Sequence, residues 1–417
     1  MSFNPDSASL EQWLERLEQL HPTEIDLGLT RVKQVAERLN CLKPAPLTII
    51  VGGTNGKGTT SALLVELLRA QGLTVGAYNS PHIHRYNERI SIDGTQASDA
   101  DICQSFRKIE EQRQDISLTY FEFGTLAALC HFQQQQVDAC VLEVGLGGRL
   151  DAVNIVDADI SIVTSIGLDH QSYLGNTLEL IAYEKCSIAR ADKWLVCGQP
   201  NAPKAAKETV LKLGGKICQR DQDFFIEANT TGFDLRFQYE HQEHHWPLPP
   251  AHIPHHNIAS AVQALALIKR LPTLEQTTTA LKNLRVPGRL QSFQRGQLTL
   301  TLDVAHNEQA AAYIGQKLNH VDGIVLGMLA DKEPEKVVKA LPTTDQWLLL
   351  SLACPRGLSA EQLAARAQIT TEVTCLTHIE DVFAQLPKQG HWLICGSFYT
   401  VDAALEMILQ DKSWSPI

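Results

Sequence analysis

Residues 52–60 run Gly-Gly-Thr-Asn-Gly-Lys-Gly-Thr-Thr, directly after the apolar stretch 47–51 and directly before leucines at helical spacing. Small residues in such a loop let backbone N–H groups converge on phosphate oxygens, and the following helix presents the positive end of its dipole. Lys57 stands where it would contact the outer phosphates. The order departs from the common phosphate-loop pattern, because Val51 occupies the place of its first glycine and Gly58 separates Lys57 from Thr59. A glycine turn alone is weak evidence. A strand before it, a lysine within it and a helix after it favour phosphate binding over a merely structural turn.

Three more polar residues, Ser80, Glu143 and His170, fall near the C-terminal ends of apolar runs, where α/β sheets place function. Glu143 is the most telling, since burying an ionised carboxylate unpaired inside Ala139-Cys-Val-Leu-Glu-Val is costly. A hydroxyl, a carboxylate and an imidazole are acceptable ligands for Mg²⁺ or Mn²⁺ beside phosphates, although histidine is less usual for magnesium. The alternative is an arginine partner for Glu143 and a turn-capping role for His170. Lys185 shares an inward helical stripe with Leu178, Ile181, Ala182, Ile188 and Ala189, so it points toward a core or a site; snorkelling or pairing with a carboxylate would be the plainer account. Farther on, Asp303 and His306 end the strand-like Thr299-Leu-Thr-Leu-Asp-Val-Ala-His-Asn. There Asp303 could accept from a ribose and His306 lie against a nucleotide, or Asp303 and Asn307 could simply cap a turn.

These residues need a scaffold that brings strand ends together. Apolar runs at 47–51, 74–78, 139–144 and 160–165 alternate with amphipathic stretches, which predicts a mostly parallel sheet covered by helices. Between the first two runs a helix is expected over 60–70, stopped by Gly72. Strands are expected again at 298–304, 323–327, 346–351 and 391–395, after Arg285-Val-Pro-Gly-Arg289, whose Pro-Gly marks a turn or linker. The expected division is a first domain over 1–284, a linker over 285–296 and a second α/β domain over 297–417, with the nucleotide caught between domains. Six of the fifteen histidines crowd into 239–256 around Trp-Pro-Leu-Pro-Pro-Ala-His-Ile-Pro. Their spacing fits no zinc motif, so a polar loop or edge hairpin is expected there.

Composition narrows the classes. A net charge of −11 disfavours a general nucleic-acid binder, whose affinity comes from surplus lysine and arginine. The ten cysteines are scattered with no Cys-x-x-Cys pair, pointing to reduced thiols. Met-Ser-Phe-Asn-Pro-Asp at the start shows no signal pattern, and no apolar run reaches the roughly 18 residues that span a bilayer. A cytoplasmic protein without membrane contact is the expectation.

Taken together, the motifs resemble the folylpolyglutamate synthase and dihydrofolate synthase family, a branch of the Mur-ligase superfamily, and its bacterial bifunctional members most closely. The resemblance covers nearly the whole chain. It rests on Thr23-Glu-Ile-Asp-Leu-Gly-Leu, Gly53-Thr-Asn-Gly-Lys-Gly-Thr, Ser80-Pro-His, Tyr86-Asn-Glu-Arg, Leu118-Thr-Tyr-Phe-Glu-Phe-Gly-Thr, Leu142-Glu-Val-Gly-Leu-Gly-Gly-Arg-Leu-Asp, Leu168-Asp-His, Glu184-Lys, Pro287-Gly-Arg, Asp303-Val-Ala-His-Asn and Cys395-Gly-Ser-Phe. It implies an α/β fold with a Mur-ligase-like P-loop domain and a smaller Rossmann-like C-terminal domain. The implied reaction is ATP-dependent ligation of L-glutamate to dihydropteroate and to the γ-carboxyl of reduced folates, through an acyl phosphate.

By the same resemblance Thr54, Asn55, Gly56, Lys57, Gly58, Thr59, Asn257, Arg289, Asp303 and His306 bind ATP. Lys57, Lys185 and His306 are its catalytic residues, and Ser80, Glu143 and His170 match the family's magnesium ligands, Mn²⁺ being an alternative. Lys185 matches a lysine carried as a carbamate. Asp26, Leu27, Gly28, Thr119, Tyr120, Phe121, Glu122, Leu150 and Asp151 match the pterin side, and a monomer is implied. Two departures from the family pattern are Cys186-Ser187 after Lys185 and Glu308, in place of proline, after Asn307. A folylpolyglutamate synthase without the dihydropteroate reaction, a cell-wall Mur ligase, and a nucleotide-binding regulatory module without ligase chemistry are the competing readings. The motifs at 23–29 and 118–125 favour the folate branch.

Overall fold

The computed structural model describes residues 3–23, 25–354 and 356–417. Met1, Ser2 and Glu24, the last within Thr23-Glu-Ile-Asp-Leu-Gly-Leu, lie outside the described residues. Two units emerge, one made of the chain up to Pro81 with Tyr86–Leu284, the other of His82–Arg85 with Arg285–Ile417.

In the first unit, β1 (Leu47–Gly52), β2 (Val75–Tyr78), β3 (Ile90–Ile92), β4 (Thr95–Gln96), β5 (Ala139–Glu143), β6 (Ile160–Val163), β7 (Trp194–Cys197) and β8 (Lys216–Gln219) form one sheet in the order β4-β3-β2-β5-β1-β6-β7-β8. All neighbours are parallel except the β2–β3 and β3–β4 pairs. β1 is buried from Thr48 to Gly52, which suits a β-branched run covered on both faces. The chain passes from β1 to β2 on one side, returns to insert β5 between them, then places β6 on the other side. Connections therefore diverge beside β1, opening the crevice where such sheets bind ligands.

The helix after β1 spans Lys57–Arg69 and buries Leu63, Leu64, Leu67 and Leu68. It begins a turn before the leucine spacing shows, because its first residues, Lys-Gly-Thr, carry no apolar side chain to mark it. The helix Leu178–Cys186 buries Ile181, Ala182 and Lys185, whereas Leu178 is exposed and Ile188 and Ala189 are buried beyond the helix end. The inward stripe is thus shorter than its spacing suggested.

The histidine-rich segment is an edge hairpin. β9 (Phe225–Asn229), β10 (Gly232–Tyr239) and β11 (Gln242–Leu248) form a separate antiparallel sheet. Phe233, Leu235 and Phe237 point into the core at period two, and His244 stacks on Phe237 with ring centroids 5.5 Å apart. His255 stacks on Phe233 where the helix His255–Leu267 begins. These histidines therefore work as aromatic packing and polar edge.

The second unit holds β12 (Gln291–Arg295), β13 (Gln297–Asp303), β14 (His320–Leu326), β15 (Thr343–Leu350), β16 (Glu372–Leu376), β17 (Gln389–Cys395) and β18 (Ser415–Pro416), ordered β16-β15-β14-β17-β13-β12-β18. The five strands from β16 to β13 are parallel, and β12 and β18 are antiparallel additions. Residues 291–295, expected within a linker, are thus a strand, with Phe293 opposite Leu300. Only one of its five residues is apolar, which hid it from a pattern reading. The connecting stretch contracts to about 285–290, and His82–Arg85 packs with this second unit rather than with its sequence neighbours.

Candidate functional site

β1 delivers the chain into the glycine loop at the C-terminal edge of the first sheet. Gly56 caps the following helix with φ 88°, a left-handed conformation that glycine adopts without a steric penalty, and a β-carbon there would stand 2.6 Å from the Asn257 side chain. Asn257, fully buried on the helix His255–Leu267, donates from Nδ2 to Thr59 Oγ1 at 2.7 Å, and Thr59 Oγ1 donates to Gly56 O at 3.0 Å. The Lys57 ammonium donates to Gly53 O at 3.1 Å and lies 3.4 Å from Thr54 O, folded back over its own loop. The helix N-terminus offers amides that no residue one turn earlier can satisfy, the local property that makes it an anion site.

Glu143 ends β5, 4% exposed, and one of its oxygens accepts from the Ser80 N–H at 3.2 Å. Its carboxylate also borders the loop's helix, 3.7 Å from where a β-carbon on Gly58 would be. Ser80 Oγ is buried with no hydrogen-bond partner in the protein. A carboxylate and an unsatisfied hydroxyl, side by side at the mouth of a phosphate-type loop, fit a hard divalent cation. His170 stands on the loop after β6 at φ 49°, its side chain 39% exposed and its ring 3.9 Å from Asp169. Ser80 and Glu143 are therefore in direct contact, while His170 stands on a separate, more open segment. Among the described residues, the one set of three His, Cys, Asp or Glu side chains with ligand atoms within 4.8 Å of one another is His320, Asp322 and Asp345, exposed in the second unit.

Lys185 is buried, and burial first, then the charge of Lys57, pulls its amine down to about 7 against the opposing influence of Asp169, Cys186 and Asp151. Asp151 is pushed up to about 6 by burial, resisted by backbone N–H groups of Leu146, Val153 and Gly145 and by Lys57. Lys57, Lys185, Asp151 and Asp169 thus form one electrostatic neighbourhood around the loop. Burial and Lys57 thus hold more of the Lys185 amine in its neutral form than an exposed lysine would keep.

The three segments expected on the pterin side are drawn together. Arg31 pairs with Asp26 at 2.7 Å, donates to the Asp26 carbonyl at 3.0 Å and reaches buried Glu122 at 3.2 Å. Glu122 accepts from the Thr119 N–H at 2.8 Å and Thr119 accepts from the Glu122 N–H at 3.2 Å, a capping box that starts the helix Tyr120–Gln134. Phe121 lies 5.8 Å from the Tyr78 ring and against Gly145, while Asp151 accepts from the Leu146 N–H at 2.8 Å and caps the turn Ala152–Ile155. Tyr120 faces Tyr86 edge-on at 5.6 Å, with the Arg89 guanidinium 5.5 Å over both rings. Leu27, Gly28 and Leu150 are half-buried beside these groups in the chain.

Pattern reading missed Arg31 and His21, which brace Asp26. His21 Nε2 is 3.2 Å from the Asp26 carboxylate and its Nδ1 2.7 Å from Ser117 Oγ. Replacing Arg31 with leucine is expected to cost roughly 2 kcal/mol, as a charged hydrogen bond to Glu122 is lost. Chemical denaturation checks this, and an unchanged midpoint would mean the bridge adds nothing.

In the second unit β13 ends at Asp303, buried, with one oxygen accepting from Leu290 N–H and the other from Ala305 N–H, both at 2.9 Å. Arg289 is 4.0 Å away, and burial raises the Asp303 carboxyl above its usual range. His306 Nδ1 is 2.9 Å from Val304 O, while Asn307 caps the helix Glu308–Leu318 by accepting from Ala310 N–H at 3.0 Å. Asp303 and Asn307 thus carry the turn contacts offered as the plainer alternative, and Arg289, Asp303 and His306 gather at one strand end.

The fold and these strand-end sites define a two-unit α/β protein of the Mur-ligase class: residues 51–268 match the Mur ligase middle domain and residues 288–398 the Mur ligase, glutamate ligase domain. The dihydrofolate synthase/folylpolyglutamate synthase of Escherichia coli is 40% identical, with 97% of each chain covered. The folylpolyglutamate synthase of Lacticaseibacillus casei is 30% identical, covering 88% of this chain and 90% of its own. Escherichia coli FolC in complex with DHPP and ADP superposes with a TM-score of 0.91 at 36% identity, covering 98% of this chain and 99% of that one. The Yersinia pestis bifunctional folylpolyglutamate synthase/dihydrofolate synthase complexed with AMPPNP and Mn ion gives a TM-score of 0.90 at 39% identity, covering 98% and 100%. The chain belongs to the dihydrofolate synthase/folylpolyglutamate synthase family. All ten cysteines are free, and among the described residues no helix is long and apolar enough to cross a membrane.

Proposed function

We propose that the protein couples ATP cleavage to amide formation, joining L-glutamate to dihydropteroate to give dihydrofolate, and to the γ-carboxyl of reduced folates. The observation that carries this reading is Glu143, a buried carboxylate against the helix that receives phosphates. Beside it the Ser80 hydroxyl is buried without a hydrogen-bond partner, a pair of oxygens that suits a cation shared with the nucleotide and so supports a metal–nucleotide complex. The acceptor class is supported by the E. coli relative, which carries DHPP with ADP. It is also supported by Arg31, which ties Asp26 to Glu122 at the start of the helix that carries Phe121, whose ring suits stacking on a flat heterocycle.

In the reaction the acceptor carboxylate attacks the γ-phosphorus, the bond to the β,γ-bridging oxygen breaks, and ADP leaves an acyl phosphate. The neutral glutamate amine then attacks the acyl carbon, phosphate departs, and the nitrogen gives up one proton and keeps the other as the amide N–H. Positioning and charge stabilisation govern both steps. The amides of Gly56, Gly58 and Thr59 and the Lys57 ammonium hold the phosphates, with Thr54, Asn55 and Asn257 shaping the loop. Ser80, Glu143 and His170 would hold Mg²⁺, or the Mn²⁺ seen in a relative, which supplies positive charge to the transferring phosphoryl group. Lys185 carries a carbamate, and its depressed basicity supports that role. Arg289, Asp303 and His306 contribute to the nucleotide site; Leu27, Gly28, Tyr120 and Leu150 complete the pterin side. The resemblance further supports a monomeric, cytoplasmic enzyme.

The deciding assay supplies purified protein with ATP, Mg²⁺ and L-glutamate, offers dihydropteroate or tetrahydrofolate, and weighs the products by mass spectrometry. One added glutamyl residue on each acceptor is expected. Turnover of tetrahydrofolate alone would restrict the enzyme to polyglutamylation, and turnover of neither would overturn the reading.

A further inference from the structure

The phosphate loop is gripped from behind by two hydroxyls at the end of β6. Thr164 Oγ1 donates to Asn55 O at 2.7 Å and lies 3.2 Å from Gly52 O. Ser165 Oγ accepts from the Asn55 N–H at 2.9 Å and is 3.0 Å from Asn55 O, while the Ser165 carbonyl accepts from the Thr54 N–H at 2.9 Å. One residue pair farther along, Thr54 Oγ1 accepts from the Gly167 N–H at 2.9 Å. Both Thr164 and Ser165 are buried. The fit is also steric, because the Thr164 hydroxyl occupies the place a β-carbon on Gly53 would need.

The consequence is directional. The Thr54 N–H and both polar groups of the Asn55 main chain are committed to Thr164 and Ser165, just beyond β6, so they face away from any bound anion. Amides for phosphate oxygens must then come from Gly56 onward, at the helix N-terminus, where the left-handed Gly56 turns the chain. We infer that Thr164 and Ser165 are positioning residues for nucleotide phosphate, fixing the two peptides that flank Asn55 so that the amides of residues 56–59 converge outward. This inference rests on the proposal that the loop binds ATP phosphates. Neither residue touches the nucleotide in this account, and each acts through Asn55. A valine at 164 fills the same volume without a donor and leaves Asn55 O to the Ser165 hydroxyl alone, and an alanine at 165 removes the acceptor of the Asn55 N–H, so each loosens one of the two peptides flanking Asn55.

The test is titration calorimetry of the full chain with ADP. Losing one hydrogen bond that orders the loop is expected to weaken ADP binding about tenfold in T164V and in S165A, and further in the double variant. T164S keeps the hydroxyl and is expected to bind as wild type, and all variants are expected to retain the wild-type near-ultraviolet circular dichroism. Wild-type ADP affinity in the double variant overturns the inference. So does a T164S defect equal to that of T164V, or a loss of the folded spectrum that accompanies the loss of affinity. If the unmodified protein itself fails to bind ADP, the fault lies instead with the reading of the loop as a nucleotide site.

Discussion

Replacing Glu143 with glutamine is expected to lower ligase turnover on the order of 10²–10³-fold while leaving metal-free ADP bound at least as tightly as in the wild type. Glutamine keeps the shape of the side chain and an oxygen for the Ser80 N–H, 3.2 Å away, and removes only the charge. That charge sits beside the first turn of the phosphate-binding helix. Two like charges about 4 Å apart repel by about 4 kcal/mol at an effective dielectric near 20, a repulsion that a divalent cation between carboxylate and polyphosphate reverses. Removing the charge therefore relieves ADP alone and abolishes the gain that Mg²⁺ brings. Calorimetric ADP titrations with and without Mg²⁺, beside steady-state rates, separate the two effects. Should Glu143 serve an arginine instead, E143Q would lose stability and keep its metal dependence, and the cation assignment would fail.

Much of this site was legible in sequence because its residues break a pattern. A carboxylate in Ala139-Cys-Val-Leu-Glu-Val and a lysine on the stripe of Ile181 and Ala182 are expensive where they stand, and both prove buried. The sheet was equally visible, since β1, β2, β5 and β6 are short apolar runs that differ from their expected bounds by one or two residues at an end. What stayed hidden breaks no pattern. Thr164 and Ser165 look like an ordinary strand end, and their hydroxyls acquire meaning only when β6 pairs with β1 and the loop folds over it. Arg31 lies 91 residues from Glu122, a pairing that no local spacing encodes. β12 was missed because Phe293 is its one apolar residue, and its register against β13 and β18 comes from the tertiary fold. Roles such as the carbamate on Lys185 came from resemblance, since spacing can show that a lysine points inward but not what it carries.

Lys185 leads to the second large effect, a dependence of turnover on dissolved CO₂. Carbamate formation joins the neutral lysine nitrogen to the carbon of CO₂ and releases a proton, so it requires the deprotonated amine. An ordinary lysine, near 10.4, offers almost none at neutral pH, whereas burial and the neighbouring Lys57 bring Lys185 to about 7. At fixed dissolved CO₂, modification and activity should rise as pH passes upward through about 7. Stability of the unmodified protein follows the same group with a definite sign. Between about 7 and 10.4 the unfolded chain holds a proton that the folded chain lacks, so stability rises with pH across that window and this contribution is flat below it. Carbamylation replaces a cation that repels Lys57 with an anion that attracts it, which removes the repulsion and anchors Lys57 beside the phosphates. An arginine at 185 keeps a positive charge and cannot take up CO₂, so K185R is expected to lose turnover on the order of 10²–10³-fold at every pH. With ¹³C-labelled CO₂ the wild type should show a carbamate resonance that K185R lacks, and CO₂-depleted enzyme should regain rate on adding bicarbonate at pH 8 more than at pH 6. Full activity in CO₂-free buffer, with an unmodified amine at 185, would leave the lysine as a buried base and remove the carbamate from the mechanism.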